Sequence, residues 1–237
     1  TLAKSIGECM SPKVVVVANA AGGSAKTTVA HALSVASVEY GKKTLLIDCD
    51  PKASLTFRVG REGTRLTLAD FLSGTSIRSE DLDSHAERFD FISADSRAGN
   101  GFTGQEMKVL IEKLPKSYDL VIIDTPSDIN ASLKAALDVA DLVLVPYSNT
   151  LHHLRGVTQI SKLSTDTPIK LLAIGEHSKP INEFSQWEQL DGFCSAAKEI
   201  EAAAHTTTSV LTHAKNSIVA GQLRECAYSV LEELGLD

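Results

Sequence analysis

The sequence predicts an α/β fold: a single doubly wound, mostly parallel sheet with helices on both faces. Short apolar runs rich in Val, Ile and Leu alternate with segments of helical period, and this alternation is typical of βαβ units. Several of the apolar runs end in a Gly-rich turn or in Asp, where the strands of an open α/β sheet meet their ligands. The chain of 237 residues is long enough to bury one full core, so we expect residues 1–237 to form a single domain.

Each element follows from its own pattern. The predicted strands are short and apolar, and they cover residues 13–19, 43–48, 89–93, 118–124, 141–146 and 169–175. The predicted helices between them cover residues 26–39, 67–73, 103–114, 130–139 and 151–163. We also predict a helical region from about 184 to 204, with Phe184, Trp187 and Phe193 as core residues. An apolar stripe predicts a last helix over 222–234.

The first predicted strand leads into a Gly-containing turn and a helix start, Ala18-Asn-Ala-Ala-Gly-Gly-Ser-Ala-Lys-Thr-Thr28. Backbone N–H groups in such a turn point at an anion, and the helix dipole adds partial positive charge. Lys26 would reach the β- and γ-phosphates of a nucleotide, and the Thr27 hydroxyl would bind Mg²⁺. The expected phosphate-binding residues are Gly22, Gly23, Ser24, Ala25, Lys26, Thr27 and Thr28.

The usual phosphate-loop pattern G-x-x-x-x-G-K-[ST] is not met, because Ala20 and Ala25 occupy its two glycine positions. The variant G-G-x-x-K-T does match. For this segment taken alone, a Gly-rich turn without a ligand remains the alternative.

Two further predicted strands end in carboxylates. One is Lys42-Lys-Thr-Leu-Leu-Ile-Asp-Cys-Asp-Pro51, which places Asp48 and Asp50 before a proline that stops the strand. The other is Tyr118-Asp-Leu-Val-Ile-Ile-Asp-Thr-Pro126, which ends at Asp124. Buried strands carry charge only at their ends, where an ion or solvent offsets the desolvation cost. We expect Asp124 to lie on the Mg²⁺ side of the site. A strand-end carboxylate that faces water is the alternative for Asp124 by itself.

These motifs together resemble the ParA/MinD family of P-loop ATPases, which position DNA, plasmids, cell-division proteins and other cargo. The resemblance runs from about residue 13 to 163 and includes Leu66-Thr-Leu-Ala-Asp-Phe-Leu72 and Ala140-Asp-Leu-Val-Leu-Val-Pro146. It implies a P-loop NTPase fold and a slow ATP hydrolase with ATP and Mg²⁺ as ligands. By the same resemblance, Asp50 would orient the attacking water with support from Asp48, and Asp124 would be the Mg²⁺-side acid.

The chain also departs from the family pattern. A lysine that usually precedes the two glycines, and crosses to the partner's phosphates in the nucleotide-bound dimer, is replaced by Ala21. Ala25, Lys52 and Ser127 replace the usual Gly, Gln and Pro. If another cation substitutes for the missing lysine, Arg155 is the first candidate and Lys52 the second, with a solvated surface role as the alternative for Arg155.

Composition narrows the functional classes. No run approaches 18 consecutive apolar residues, and the first dozen residues carry no signal-peptide core, so we expect a cytoplasmic protein without a membrane partner. The four cysteines are scattered, which fits a reducing compartment and argues against a zinc or iron–sulfur site. Five of the seven histidines, His152, His153, His177, His205 and His213, lie after residue 150 without ligand spacing, so surface or core roles are expected for them.

The resemblance implies a homodimer on ATP binding, nonspecific association with nucleoid DNA, and a small ParB-like or cargo-adaptor protein that stimulates the ATPase. The net charge of −7 does not indicate a DNA-binding protein, although nonspecific DNA binding needs only a local basic patch. Candidate basic clusters are Lys52, Arg58, Arg61 and Arg65, and then Lys179, Lys198, Lys215 and Arg224. Two alternatives remain: a metabolic P-loop enzyme similar to dethiobiotin synthetase, and a MinD-like membrane-cycling regulator, which the acidic C-terminal segment disfavours.

Overall fold

The computed structural model describes residues 11–164, 166–175 and 182–237, and these residues build an eight-stranded sheet. Neighbouring strands run in the order β3-β4-β2-β5-β1-β6-β7-β8, and every pairing is parallel except β3 with β4. The strands are β1 Lys13–Val17, β2 Thr44–Asp48, β3 Asp83–Ser84, β4 Asp90–Ile92, β5 Leu120–Asp124, β6 Leu142–Tyr147, β7 Ile169–Ile174 and β8 Gln189–Cys194.

Helices cover both faces of this sheet. They are α1 Lys26–Glu39, α2 Ser54–Arg58, α3 Leu68–Leu72, α4 Gly104–Glu112, α5 Ala131–Leu137, α6 Leu151–Leu163, α7 Lys198–Ala203, α8 Val210–His213 and α9 Ile218–Glu233. In β1, Val14 and Val16 pack on the face covered by α3 to α6, whereas Val15 and Val17 pack on the face covered by α1, α8 and α9. The predicted doubly wound, mostly parallel α/β fold is therefore confirmed.

The centre of the sheet positions the candidate site. β2, β5 and almost all of β1 are buried, which suits their continuous apolar sequences. Val17 pairs in register with Asp124, and Asp124 pairs in turn with Asp48. The ends of β1, β5 and β2 therefore meet at one edge, where α1 begins.

The prediction of a helical region from 184 to 204 is wrong for its first half. Asn182–Gln186 form a 3₁₀ turn, Gln189–Cys194 form the edge strand β8, and only Lys198–Ala203 are α-helical. Leu190 and Cys194 turn towards α9, and Gly192 adopts φ 111 with its Cα against Cys226, so the strand lacks a clean alternation. Of the expected core residues, Phe184 is fully buried, whereas Trp187 and Phe193 are half-buried.

Two further features bear on the functional classes. In the part of the chain that the structure describes, no helix combines the length and the apolar character needed to cross a bilayer. Cys49, Cys194 and Cys226 are buried free thiols, and Cys9 lies outside the described residues.

Candidate phosphate-binding site

The loop between β1 and α1 is fixed to the end of β6. The buried side chain of Asn19 donates from Nδ2 to the carbonyl of Pro146 at 2.8 Å, and its Oδ1 accepts from the backbone N–H of Ala21 at 2.9 Å. Gly23 and Ala25 adopt left-handed conformations, with φ 74 and φ 66. A positive φ costs an alanine about 1 kcal/mol, so the chain holds Ala25 in a strained conformation that glycine would adopt without this cost.

Lys26 folds back over this loop. Its Nζ donates to the carbonyl of Ala21 at 3.1 Å, to Ser24 Oγ at 3.3 Å and to Ser127 Oγ at 3.0 Å. The side chain is buried, which lowers the pKa of its ammonium, while the charge of Asp124 opposes that shift. Among the described residues no carboxylate comes within ion-pair distance of Nζ. An ammonium held by neutral oxygens can exchange them for an incoming anion.

Thr27 and Asp124 form a second part of the site. The Thr27 hydroxyl donates to Asp124 Oδ2 at 2.8 Å, and Asp124 Oδ1 is buried without a hydrogen-bond partner. Burial, followed by the nearby charge of Asp48, raises the pKa of Asp124 to about 8. A hydroxyl beside a carboxylate with an open oxygen fits Mg²⁺, which takes one or two protein oxygens and fills its other positions with water and phosphate.

Asp48 and Asp50 have different surroundings. Asp48 is fully buried: its Oδ1 accepts from the backbone of Asp50 at 3.0 Å, and its Oδ2 accepts from Thr56 N and Oγ1 at 2.8 Å each. Burial raises its pKa to about 6. Asp50 is half-exposed and its Oδ1 accepts from the backbone of Lys52 at 2.9 Å. Asp48 therefore stabilises the conformation of the loop after β2. Asp50 faces the site, and its second carboxylate oxygen is available for another hydrogen bond.

Helix α6 closes the other side of the loop, which sequence reasoning missed. His153 is buried, accepts on Nδ1 from Ser148 N at 2.7 Å, and hydrogen-bonds to the backbone of Gly22. Gly156 lies so near that a Cβ there would come 2.0 Å from Asn19 Oδ1 and 2.9 Å from Ala21 Cβ. The sequence signal for this contact is that α6 follows β6, the neighbour of β1, and carries a glycine in its second turn.

The remaining predicted residues are placed as follows. Gly22 and Gly23 are exposed at the loop tip, Ser24 is buried, and Thr28 accepts a hydrogen bond on Oγ1 from Arg58 at 2.8 Å. Arg155 is exposed on α6, and Lys52 is exposed and paired with Asp128 at 3.0 Å.

Ion pairs and inward contacts take up part of the two predicted basic clusters, while Arg65, Lys198 and Lys215 are exposed. In the first, Lys52 pairs with Asp128, Arg61 pairs with Asp83 at 3.2 Å, and Arg58 turns inwards to Thr28. In the second, Arg224 pairs with Glu39 at 2.6 Å, and Lys179 lies outside the described residues.

Comparison with known proteins gives the family and the fold of the chain. The AAA_31 family model, an AAA domain, matches residues 12–168. The chromosome partitioning protein ParA of Caulobacter vibrioides is 31% identical over 163 residues, which are 63% of this chain and 61% of that protein. The chain thus matches less than two thirds of that relative's length.

Solved structures share the fold. The cell division ATPase MinD of Pyrococcus furiosus has a TM-score of 0.81 at 17% identity, covering 94% of this chain and 99% of that one. Cobyrinic acid a,c-diamide synthase of Mycobacterium smegmatis, solved with a bound ATP analogue and magnesium, has a TM-score of 0.77 at 25% identity, covering 94% and 96%. The family match over most of the chain and these relatives show that the chain belongs to the ParA/MinD family of P-loop ATPases.

Proposed function

We propose that this chain is a Mg²⁺-dependent ATPase that positions DNA or a protein cargo through ATP-dependent dimerisation and nonspecific DNA binding. The observation that carries the proposal is the meeting of Lys26, Thr27 and Asp124 at the ends of β1 and β5, joined by the 2.8 Å hydrogen bond from Thr27 to Asp124. The site offers a buried cation, a helix N-terminus and an unsatisfied carboxylate oxygen, which together suit a metal-bound phosphate chain.

Each residue has a role in this proposal. The loop from Gly22 to Thr28 binds the phosphates with its N–H groups and with Lys26. Thr27 and Asp124 would hold Mg²⁺, which when bound neutralises phosphate charge. Asp50 orients the attacking water, because its half-exposed carboxylate lies near Lys26, whereas the open oxygen of Asp124 is assigned to Mg²⁺. Asp48 keeps the backbone of Asp50 in place through its 3.0 Å hydrogen bond.

The positioning role is inferred from the relatives. They include the partitioning protein ParA of Caulobacter vibrioides and the sporulation initiation inhibitor Soj of Bacillus subtilis. We infer from them a slow ATPase associated with the nucleoid and stimulated by a small partner protein. The basic residues that contact DNA must belong to a local surface, because the net charge is −7.

Two alternatives are weighed against specific observations. The 25% identity with cobyrinic acid a,c-diamide synthase supports a metabolic P-loop enzyme. A MinD-like membrane-cycling role would need a free apolar helix face. The apolar face of α9 is not free, because Leu223, Ala227 and Val230 are buried in the core against the sheet.

The phosphate site is tested with Lys26→Ala, using Lys108→Ala as the matched control because Lys108 is exposed on α4, remote from β1 in sequence and on the opposite face from α1. We expect Lys26→Ala to weaken ATP binding by about 100-fold or more and to abolish turnover, since positioning and electrostatics carry phosphoryl transfer. Its circular dichroism should match the parent. Unchanged affinity and turnover in Lys26→Ala would rule out the site.

The positioning role is tested by measuring ATP turnover of the parent chain with and without nonspecific duplex DNA at several salt concentrations. Faster turnover, or ATP-dependent retention on DNA that weakens with salt, supports the positioning ATPase. A turnover rate that ignores DNA, together with activity on a small-molecule acid, would favour the metabolic alternative.

A further inference from the structure

Arg58 ends helix α2 and turns towards the start of α1. Its Nη1 donates to Thr28 Oγ1 at 2.8 Å, and Thr28 is the third residue of α1, next to Thr27. Helices α2 and α1 lie on the same face of the sheet. The guanidinium therefore lies in the first turn of the helix that opens the candidate phosphate site.

Arg58 has no direct carboxylate partner among the described residues. Its Nε is also buried without a hydrogen-bond partner. Burial lowers the pKa of its guanidinium, while the charge of Asp124 opposes that shift. Four other arginines in the described part of the chain each meet a carboxylate within 3.2 Å, namely Arg61, Arg78, Arg97 and Arg224.

Arg58 also lies near the partial positive charge at the start of α1. The ammonium of Lys26 lies in the same turn. The half-buried guanidinium of Arg58 adds positive charge at this helix start in a region of reduced solvation, and the charge of Asp124 offsets part of that cost. A separate cavity of about 750 Å³, which is lined by Glu62 and residues 204–207 and by no residue of the phosphate loop, reaches the other side of Arg58.

We propose that Arg58 is a phosphate-binding residue of the nucleotide site, contributed by the same subunit, and that it contacts the phosphate lying against Thr28. It thereby supplies within one subunit a positive charge that Ala21 does not supply. The guanidinium offers donors in a planar fork, which matches phosphate oxygens. This inference rests on the proposed ATP-binding function.

The test compares Arg58→Met with Arg61→Met, a matched control that removes a nearby arginine already paired with Asp83. Dissociation constants for ADP and ATP are measured by fluorescence titration in both variants and in Arg58→Lys. We expect Arg58→Met to weaken both nucleotides by about 10- to 100-fold, as for loss of one charge-assisted hydrogen-bonding group. Arg61→Met should leave both constants within about twofold, and Arg58→Lys should fall between the parent and Arg58→Met.

Thermal unfolding without nucleotide separates ligand binding from a structural role. We expect Arg58→Met to melt at the parent temperature or higher, because it removes a half-buried charge without a direct carboxylate partner, while ATP raises its melting temperature less than it raises the parent's. Unchanged nucleotide affinity in Arg58→Met would overturn the inference. So would a lower melting temperature without nucleotide, since Arg58 would then serve the fold.

Lys26→Ala distinguishes a failure of the inference about Arg58 from a failure of the proposed ATP-binding function. If Lys26→Ala loses ATP binding while Arg58→Met keeps it, only the inference about Arg58 fails. If Lys26→Ala also binds ATP normally, the proposed function itself fails.

Discussion

Two aspartates at adjacent strand ends show how local surroundings divide one residue type into two roles. Asp48 and Asp124 pair in register and are both buried. Asp48 has hydrogen-bond donors on both oxygens, from Asp50 and Thr56. Asp124 has a donor only on Oδ2, and its Oδ1 is unsatisfied. The carboxylate with the open oxygen is the one that can still bind an ion, and its ionisation costs the folded chain free energy.

This difference predicts that Asp124→Asn stabilises the chain without nucleotide or metal. Burial raises the pKa of Asp124 to about 8 in the folded chain, well above the ordinary value of an aspartate. The folded state therefore holds the proton more tightly, and stability falls as pH rises from about 4 to about 8. Asparagine cannot ionise, so Asp124→Asn does not lose this stability as the pH rises. Urea unfolding in EDTA should show a gain on the order of 1–3 kcal/mol at pH 8 and almost none at pH 4.

Asp48→Asn is the matched control, and it should not gain stability. An asparagine has one acceptor oxygen, so either Asp50 N or the two donors of Thr56 would lose their acceptor. A loss of stability in Asp124→Asn at pH 8, or equal gains in both variants, would contradict the assignment of the open carboxylate.

At the scale of elements, the phosphate loop depends on the close approach of α6. His153 contacts the backbone of Gly22, and Gly156 faces Asn19 and Ala21 without room for a Cβ. Ala21 is itself buried with 1% of its surface exposed. Ala21, the residue just before the two glycines, is therefore packed against a helix in this chain.

This packing predicts that Gly156→Ala damages the site although alanine favours helices. A Cβ at 2.0 Å from Asn19 Oδ1 forces either the loop or α6 to move, so we expect a loss of at least about 2 kcal/mol in stability and weaker ATP binding. Gly221→Ala in α9 is the control, since a Cβ there meets no atom within 4 Å. It should gain about 0.5–1 kcal/mol by helix propensity. Chemical denaturation and ATP titration of both variants check this, and a neutral Gly156→Ala would contradict the close approach.

The elements also show which parts of the fold a sequence can predict. The ends of β1, β2 and β5 were predicted to within about two residues, because short continuous apolar runs bounded by Gly, Pro or Asp rarely form anything other than buried strands. β8 was missed because an edge strand buries one face only and Gly192 interrupts its pattern. The two-residue strand β3 carries only polar side chains and gave no signal.

The candidate site also has residues that the sequence predicts and contacts that it does not predict. The loop and its acids follow directly from strand ends, so local sequence was enough to predict their meeting. The contacts of Ser127 with Lys26 and of Arg58 with Thr28 join residues far apart in sequence. No periodic pattern in the local sequence predicts such contacts, because they depend on how the helices pack against the sheet.

At the scale of the whole molecule, three of the six large apolar side chains that are exposed in the described residues follow strand ends at the edge of the candidate site. Phe57 is 69% exposed, Leu151 73% and Ile129 43%. They follow the carboxyl ends of β2, β6 and β5, the strands that surround β1 in the sheet order. One edge of the molecule therefore carries both the phosphate loop and these exposed apolar side chains. A second copy of the chain, meeting this edge when ATP is bound, would bury them.

This arrangement predicts an ATP-dependent dimer. We expect Asp50→Ala to bind ATP and hydrolyse it poorly, because a water-orienting acid contributes little to nucleotide affinity, and so to hold the chain in its ATP-bound state. Sedimentation velocity of Asp50→Ala should show a dimer with ATP and a monomer with ADP. Without any ATP-dependent dimer, the switching model for this chain would be wrong.

The same dimer tests Arg155 as the cation that approaches the partner's phosphates. Two ATP-loaded subunits bring together about eight negative charges, and Ala21 offers none of the opposite sign. Arg155 is exposed on α6, four residues after the exposed Leu151. Adding Arg155→Ala to Asp50→Ala should weaken the dimer by about 10-fold. Adding Lys162→Ala, at the far end of the same helix, should leave it unchanged. A dimer of equal strength with and without Arg155 would exclude this residue, and the positive charge at the interface would then have to come from within each subunit, where Arg58 lies beside Thr28.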